Sequence, residues 1–269
     1  MVNTRLLMKR FAATVVILAL LTACSVSPTG RKQLMIMPES QMVTMGVQSF
    51  HKLLEQTPRV TDNSINQYVQ CIGDAITQLP SVQAVSSDWE IVVFDDPSAN
   101  AFALPGGKIG VYKGLLTVAI TPAQVAAVMG HEVGHILARH GNERVSQSFA
   151  ATQGLSLLEG WLGAKDYENQ GAIMAALGVG AQVGVLLPFG RTQESEADTI
   201  GTELMARAGF DPGESITLWQ NMARGSNGGP PEFLSTHPSH DTRIEQLGDN
   251  MASAVALYQQ SGNKPQCHR

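Results

Sequence analysis

The chain has 269 residues, 43% of them hydrophobic and 15% charged, and a net charge of −5. That length and apolar content suit one folded domain with a sizeable core, and the acidic balance argues against a general nucleic-acid binder. No heptads, solenoid repeats or long low-complexity tracts stand out, which sets coiled-coil and repeat architectures aside.

Arg5, Lys9 and Arg10 precede an apolar run from Phe11 to Leu20. The run is short for a bilayer span and reads as a secretory leader. Leu21-Thr22-Ala23-Cys24 follows and resembles a bacterial lipobox, whose cysteine becomes the lipidated first residue of the mature protein. Residues 1–23 are thus expected to be a lipoprotein signal peptide, with acyl chains on Cys24 holding the protein at a membrane. Ser25, and not Asp, comes next, which is compatible with sorting to the outer membrane of a Gram-negative envelope. Loss of the leader's three basic residues takes the net charge to near −8, so the anchor rather than charge should keep the chain at the lipid surface. Residues 24–37 read as the lipidated cysteine and a short polar tether containing Pro28 and Gly30, and residues 38–269 as the folded domain.

Helical spacing predicts one helix from Pro38-Glu39-Ser40 to about Gln56. A second starts at Asp62 or Asn63 and is stopped by Pro80. Trp89 to Phe94 reads as a strand, Asn100 to Leu104 as a second, and Lys108 to Tyr112 as a third after the Pro105-Gly106-Gly107 turn. The expectation is a small antiparallel sheet whose edge can take up an extended peptide through main-chain hydrogen bonds.

Next comes Gly130-His131-Glu132-Val133-Gly134-His135, an HExxH pattern inside an apolar run. Thr121 is a cap, Pro122 fits the first turn and Gln124 completes a capping box, with Gly141 placed to end the helix near His140. Residues four apart share a helix face, so His131 and His135 aim their imidazoles at one point. Two converging nitrogens suit zinc, and Glu132 beside them can take a proton from a water. The metzincin extension is absent, since Ala138 and Gly141 stand where it needs Gly and His. A third ligand must come from elsewhere.

Residues 146–188 are rich in Gly, Ala and Leu, and Gly171 to Leu187 carries no charge. That is short for a span and is read as a buried or interfacial helix. A further helix is expected from about Arg191 to Ala208. On it Glu194 and Asp198 share a face: Glu194 is the candidate third ligand, Asp198 a carboxylate that orients a ligand histidine, and Glu196 is expected to meet solvent. Asp211-Pro212-Gly213-Glu214 starts another helix reaching about Ala223, residues 225–231 form a loop, and a last helix follows Thr236 to Arg243. By spacing alone His237 and Arg243 read as surface residues. Cys71 and Cys267 are expected to pair in an oxidising periplasm and to tie the C-terminal tail to an early helix.

Taken together, Pro28-Thr29-Gly30-Arg31, Asn100-Ala101-Phe102 with Pro105-Gly106-Gly107, HExxH, Glu194-x-x-x-Asp198 and His237-Pro238 followed by Arg243 resemble zinc metallopeptidase family M48 (CAAX prenyl endopeptidase/HtpX-like). Several clear membrane spans, and a C-terminal helical-repeat extension, are not seen, which places the resemblance in the short periplasmic lipoprotein branch. It implies a mainly helical α+β fold of the gluzincin type, with the small antiparallel sheet beside the HExxH helix. It also implies one Zn2+ held by His131, His135 and Glu194, Glu132 as base, Asp198 in support, and His237 and Arg243 near substrate or metal.

The expected activity is hydrolysis of peptide bonds in unfolded or misassembled envelope proteins. Asn100, Ala101 and Phe102 would align the substrate, and His237 and Arg243 would stabilise the oxyanion. Outer-membrane assembly machinery is a candidate partner. A second role for His237 is a fourth zinc ligand that makes a resting enzyme latent. The rival reading is a non-proteolytic chaperone or assembly factor for outer-membrane proteins, against which a complete base-and-ligand set argues.

Overall fold

The computed structural model describes residues 24–150, 189–224, 232–237 and 243–269. The leader, the glycine-rich stretch through residue 187 and the loop at 225–231 lie outside the described residues. In chain order the elements are β1 (Cys24–Val26), β2 (Lys32–Leu34), α1 (Glu39–Gln56), α2 (Asn63–Thr77), α3 (Pro80–Gln83), β3 (Glu90–Phe94), β4 (Ala101–Leu104) and β5 (Lys108–Tyr112). A 3-10 turn at Lys113–Thr117 leads to α4 (Pro122–Leu137). The second half holds a helix through 140–150 (α5), α6 (Arg191–Arg207), α7 (Gly213–Arg224), α8 (Glu232–Thr236) and α9 (Arg243–Gln260). The architecture is α+β and mostly helical. Among the described residues no helix is long and apolar enough to cross a membrane.

The core forms around α4, on which every residue from Gln124 to His135 is buried. Its start is built as the sequence dictates: Thr121 Oγ1 accepts from the Gln124 N–H at 3.2 Å, and Gln124 Oε1 accepts from the Ile120 N–H at 2.9 Å. Its end is earlier than expected. The helix stops at Leu137, Ala138 caps it, and Arg139 adopts a φ of +54°. The chain then re-enters helix at His140, so Gly141 lies inside α5 and terminates nothing. A left-handed residue breaks the helical ladder wherever surrounding contacts hold it, even without glycine.

Helices α4 and α6 meet backbone to backbone. A Cβ on Gly130 would lie 2.7 Å from the Gly201 carbonyl oxygen, and one on Gly134 would lie 2.9 Å from that of Ala197. From the other side, a Cβ on Gly201 would lie 2.6 Å from the His131 nitrogen. This approach puts the carboxylates of α6 within reach of the HExxH histidines. On another side of α4, α2 packs Val69, Ile72 and Ile76 into the same core, and Cys71 of α2 is joined to Cys267 with a Cα–Cα distance of 5.7 Å.

The three-stranded sheet has the order β3-β5-β4 and is mixed rather than wholly antiparallel. β4 and β5 form the expected hairpin, with Ala103 opposite Ile109, but β3 runs parallel to β5, with Ile91 beside Ile109. Ile109, Gly110 and Val111 are all buried, so β5 takes the central place. The segment between β3 and β5, which includes β4, is long enough to return the chain in the parallel sense. β4 is left as the edge beside α4.

Residues 24–34, expected as part of a tether, form an antiparallel hairpin with Ser25 opposite Gln33. Gly30 takes a φ of +89° in its turn, where an L side chain would be strained. The hairpin is docked, not free: Gln33 Nε2 donates to the Ala138 carbonyl at 2.7 Å, and the Ile36 N–H to Ser146 Oγ at 2.8 Å. Its order comes from long-range polar contacts that no local periodicity announces.

Candidate metal centre

α4 presents His131 and His135 one turn apart, with Glu132 between them. α6 supplies Glu194 and Asp198, the residue after α8 is His237, and α9 opens with Arg243. All seven are buried, with Glu194 fully enclosed. For His237 and Arg243 this reverses the surface placement expected from spacing.

Four groups converge: His131, His135, Glu194 and His237. His131 Nε2 lies 3.0 Å from His135 Nε2 and 3.1 Å from His237 Nδ1, and Glu194 Oε1 lies 3.0 Å from that same Nδ1 and 3.4 Å from His135 Nε2. Ligands of a tetrahedral zinc, each about 2.0–2.1 Å from the ion, stand roughly 3.3 Å from one another. Three borderline imidazole nitrogens and a hard carboxylate oxygen are a set that zinc accepts. The electrostatics agree. Burial opposes charge on His131, yet Glu194 and the hydrogen bond to Asp198 raise its pKa to about 9. Burial likewise opposes ionisation of Glu194, but His237 and His131 hold it well below the usual carboxylate range. A cavity that favours a proton among these atoms also favours a cation.

Glu132 stands at the edge of this cluster. Burial pushes its carboxyl up, with His237 and His131 pulling the other way, which is the direction that suits a general base. Its Oε1 has no hydrogen-bond partner among the described residues, although His237 Nε2 is 3.3 Å away. The Ala103 N–H on β4 bonds the same carboxylate.

Each HExxH imidazole is held through its second nitrogen. His131 Nδ1 lies 2.9 Å from Asp198 Oδ1. Arg243 Nη2 donates to that oxygen at 2.7 Å while Nη1 donates to Glu194 Oε2 at 2.9 Å, and the guanidinium carbon sits 3.4 Å over the Trp219 ring. Arg243 thus clamps two carboxylates. Its fork, expected to meet an oxyanion, is turned here towards Glu194 and Asp198. His135 Nδ1 lies 2.8 Å from His140 Nδ1, and His140 Nε2 lies 3.1 Å from Glu196 Oε2. Glu196, expected in solvent, is buried and also accepts from Thr29 Oγ1 at 2.5 Å and Arg31 Nε at 2.9 Å.

The sequence alone assigns no role to this second chain of contacts: His140 falls at the expected end of the HExxH helix, and Thr29 and Arg31, although part of the Pro28-Thr29-Gly30-Arg31 motif, fall in the expected tether.

Of the three expected substrate-aligning residues, Asn100 and Ala101 lie on the β4 edge, with Asn100 Oδ1 accepting from the Ala101 N–H at 2.9 Å. The Phe102 side chain is turned the other way, packed with Phe50, Phe94 and Tyr112. Alternation along the strand sends the Ala101 and Ala103 side chains to the α4 side and that of Phe102 to the opposite face, and with Tyr112 N–H bonded to the Asn100 carbonyl the backbone of Phe102, opposite Gly110, faces β5 and not the edge.

Residues 63–250 match Peptidase family M48. The mitochondrial metalloendopeptidase OMA1 of Schizosaccharomyces pombe is 40% identical over 168 residues, covering 62% of this chain and 48% of that protein. The Saccharomyces cerevisiae protein of the same name is 38% identical over 201 residues, covering 71% and 56%. The beta-barrel assembly-enhancing protease of Escherichia coli is 28% identical over 219 residues, covering 76% and 42%. The chain spans about half the length of these relatives. The HExxH helix, the carboxylates of α6 and His237 with Arg243 all fall inside the matched span, and on that ground the chain belongs to peptidase family M48.

Proposed function

We propose that the chain is a zinc metalloendopeptidase that hydrolyses peptide bonds of unfolded or misassembled envelope proteins. One observation carries the reading: His131 and His135 from α4 converge with Glu194 from α6, and the partly unpaired Glu132 carboxylate stands beside them. These three residues would hold the ion. The chemistry such an ion supplies when bound is polarisation of a carbonyl and acidification of a water.

The remaining work falls to the protein. Glu132, its carboxyl raised by burial, takes a proton from the attacking water and passes it to the leaving amine. The β4 edge at Asn100 and Ala101 aligns an extended peptide. Asp198, clamped by Arg243, holds His131 in the tautomer whose Nε2 is free. His237 Nε2 is placed to donate to the oxyanion that develops on the scissile carbonyl. A Glu132→Gln chain should keep its fold and bound metal and lose cleavage. Cleavage at the parent rate would refute the mechanism, and full function of that variant in cells would favour a chaperone instead.

A second role for His237 rests on its position here. Its Nδ1 is 3.1 Å from His131 Nε2 and 3.0 Å from Glu194 Oε1, inside the ligand cluster. A fourth protein ligand there would displace water and keep a resting enzyme latent. His237→Ala should then raise basal cleavage, whereas a plain loss of activity assigns the residue to catalysis alone.

For location, the leader and Leu21-Thr22-Ala23-Cys24 support a lipidated Cys24 at the periplasmic face of a Gram-negative outer membrane. The relative named for enhancing β-barrel assembly supports an outer-membrane assembly partner. Mass spectrometry of the mature N-terminus tests the anchor: an unmodified residue 24 would refute it.

A further inference from the structure

The two HExxH histidines are supported from opposite sides by arrangements of the same kind. Behind His131 stand Asp198 and then Arg243. Behind His135 stand His140, then Glu196, then Arg31 and Thr29. The second arrangement is longer, and it ends in the N-terminal hairpin.

Its hydrogen-bond polarity can be worked out. The Glu196 carboxylate only accepts, so His140 Nε2 donates to it across 3.1 Å. With Nε2 carrying the hydrogen, His140 Nδ1 is the acceptor. The hydrogen between His140 Nδ1 and His135 Nδ1, 2.8 Å apart, therefore belongs to His135. That leaves the lone pair of His135 Nε2 directed at His131, Glu194 and His237. The tautomer of a metal ligand is set here by a contact chain beginning more than 100 residues earlier in the sequence.

Glu196 is itself held by the hairpin turn. Thr29 Oγ1 donates to Oε1, while Arg31 Nε donates to Oε2, the oxygen that also accepts from His140. Arg31 is fixed in turn by a two-pronged pair with Glu143, at 2.6 and 2.7 Å, and Gln193 Nε2 donates to the same carboxylate at 2.7 Å. Arg31 thus bridges α5, which carries His140 and Glu143, and α6, which carries Glu194 and Glu196. His140 has no exposed surface, so water cannot readily replace a lost partner.

We propose that Thr29 and Arg31 are positioning residues of the metal centre, acting through Glu196 and His140 on His135, so that docking of residues 24–34 sets how tightly the site holds its ion. The inference rests on the reading of His131, His135 and Glu194 as metal ligands. It makes the segment next to Cys24 a working part of the site, and undocking of the hairpin a way to weaken the site without touching a ligand.

The test is metal affinity, measured by competition with a chromophoric chelator on the full chain in detergent, together with the visible spectrum after cobalt loading. Arg31→Ala and Glu196→Gln should each weaken zinc binding about 10–100-fold and alter the cobalt spectrum. Glu196→Gln keeps the side-chain volume and serves if Arg31→Ala lowers the melting temperature too far. Asn66→Ala removes a part-buried bond to the Val60 carbonyl at the start of α2, off this route, and should leave affinity within about twofold. Parent-like affinity and spectrum in Glu196→Gln and Arg31→Ala would overturn the inference while leaving the metal site standing. An equal loss in Asn66→Ala would overturn it in favour of general stability. A parent chain that binds no divalent ion would remove the metal reading and this inference together.

Discussion

Two glycine-to-alanine changes should act in opposite directions. A Cβ on Gly201 would lie 2.6 Å from the His131 nitrogen and 2.8 Å from both the Gly130 carbonyl carbon and the His131 Cα. All three are backbone atoms of α4, so no side chain can step aside. Ordinary contact begins near 3.4 Å, and the shortfall of roughly 0.8 Å must be met by moving α6 away from α4. Overpacking of this kind costs about 1–3 kcal/mol. The site should suffer more than the fold, because Glu194 rides on α6 and metal–ligand distances tolerate only about 0.2 Å. Gly248 on α9 is the counterpart: exposed, with nothing within 4 Å of an added Cβ. There alanine should stabilise by about 0.5–1 kcal/mol through helix propensity. Denaturant unfolding with and without chelator reads both effects. A Gly201→Ala chain with parent stability and parent metal affinity would refute the claim that backbone contact between these helices sets the site.

Asp198→Asn removes the negative charge shared by His131 and Arg243, and should weaken metal binding about 10–100-fold with little change in secondary structure, read by chelator competition and circular dichroism. Burial works against ionisation of Glu143, but bonds from Arg31 and Gln193 outweigh it and hold its carboxyl below the usual value. A depressed carboxylate contributes stability that is fully present above its unfolded value, near 4.5, and lost as pH falls through the folded one. The melting temperatures of the parent and Glu143→Gln should therefore differ at neutral pH and converge on acidification; a gap that widens in acid would contradict the pairing. The Cys71–Cys267 bridge spans 196 residues, so Cys267→Ser should lower stability by about 2–4 kcal/mol. Two reactive thiols in the unfolded, non-reduced parent would show that no bridge forms.

The sequence exposes what local rules control. Thr121, Pro122 and Gln124 announce the start of α4, and the spacing of His131, His135, Glu194 and Asp198 announces which side chains share a helix face. It is silent where distant parts of the chain decide. Arg139 breaks α4 with a positive φ because contacts of His140 and Glu143 hold the chain beyond it, and glycine at 141 was the stronger local signal. Glu196 lies two residues from Glu194, off the shared face, and its partners come from a hairpin more than 160 residues away. That hairpin has the Pro, Gly and Ser content of a linker, and its ion pairs and hydrogen bonds with the end of α4, with α5 and with α6 give it a fixed place. The parallel pairing of β3 depends on β5 being the most buried strand. Phe102 was assigned by resemblance, and the alternation that turns its ring from the site becomes evident once β4 is placed between β5 and α4.

Everything proposed for catalysis rests on Glu132 performing proton transfer beside an ion held by His131, His135 and Glu194. The most direct test is cleavage of an unfolded protein such as casein by the full chain and by Glu132→Gln, with metal content determined on both. Cleavage by the parent alone, with about one zinc in each protein, is the expected result. Well-folded parent protein that holds no divalent metal, or equal cleavage by the two, would contradict it.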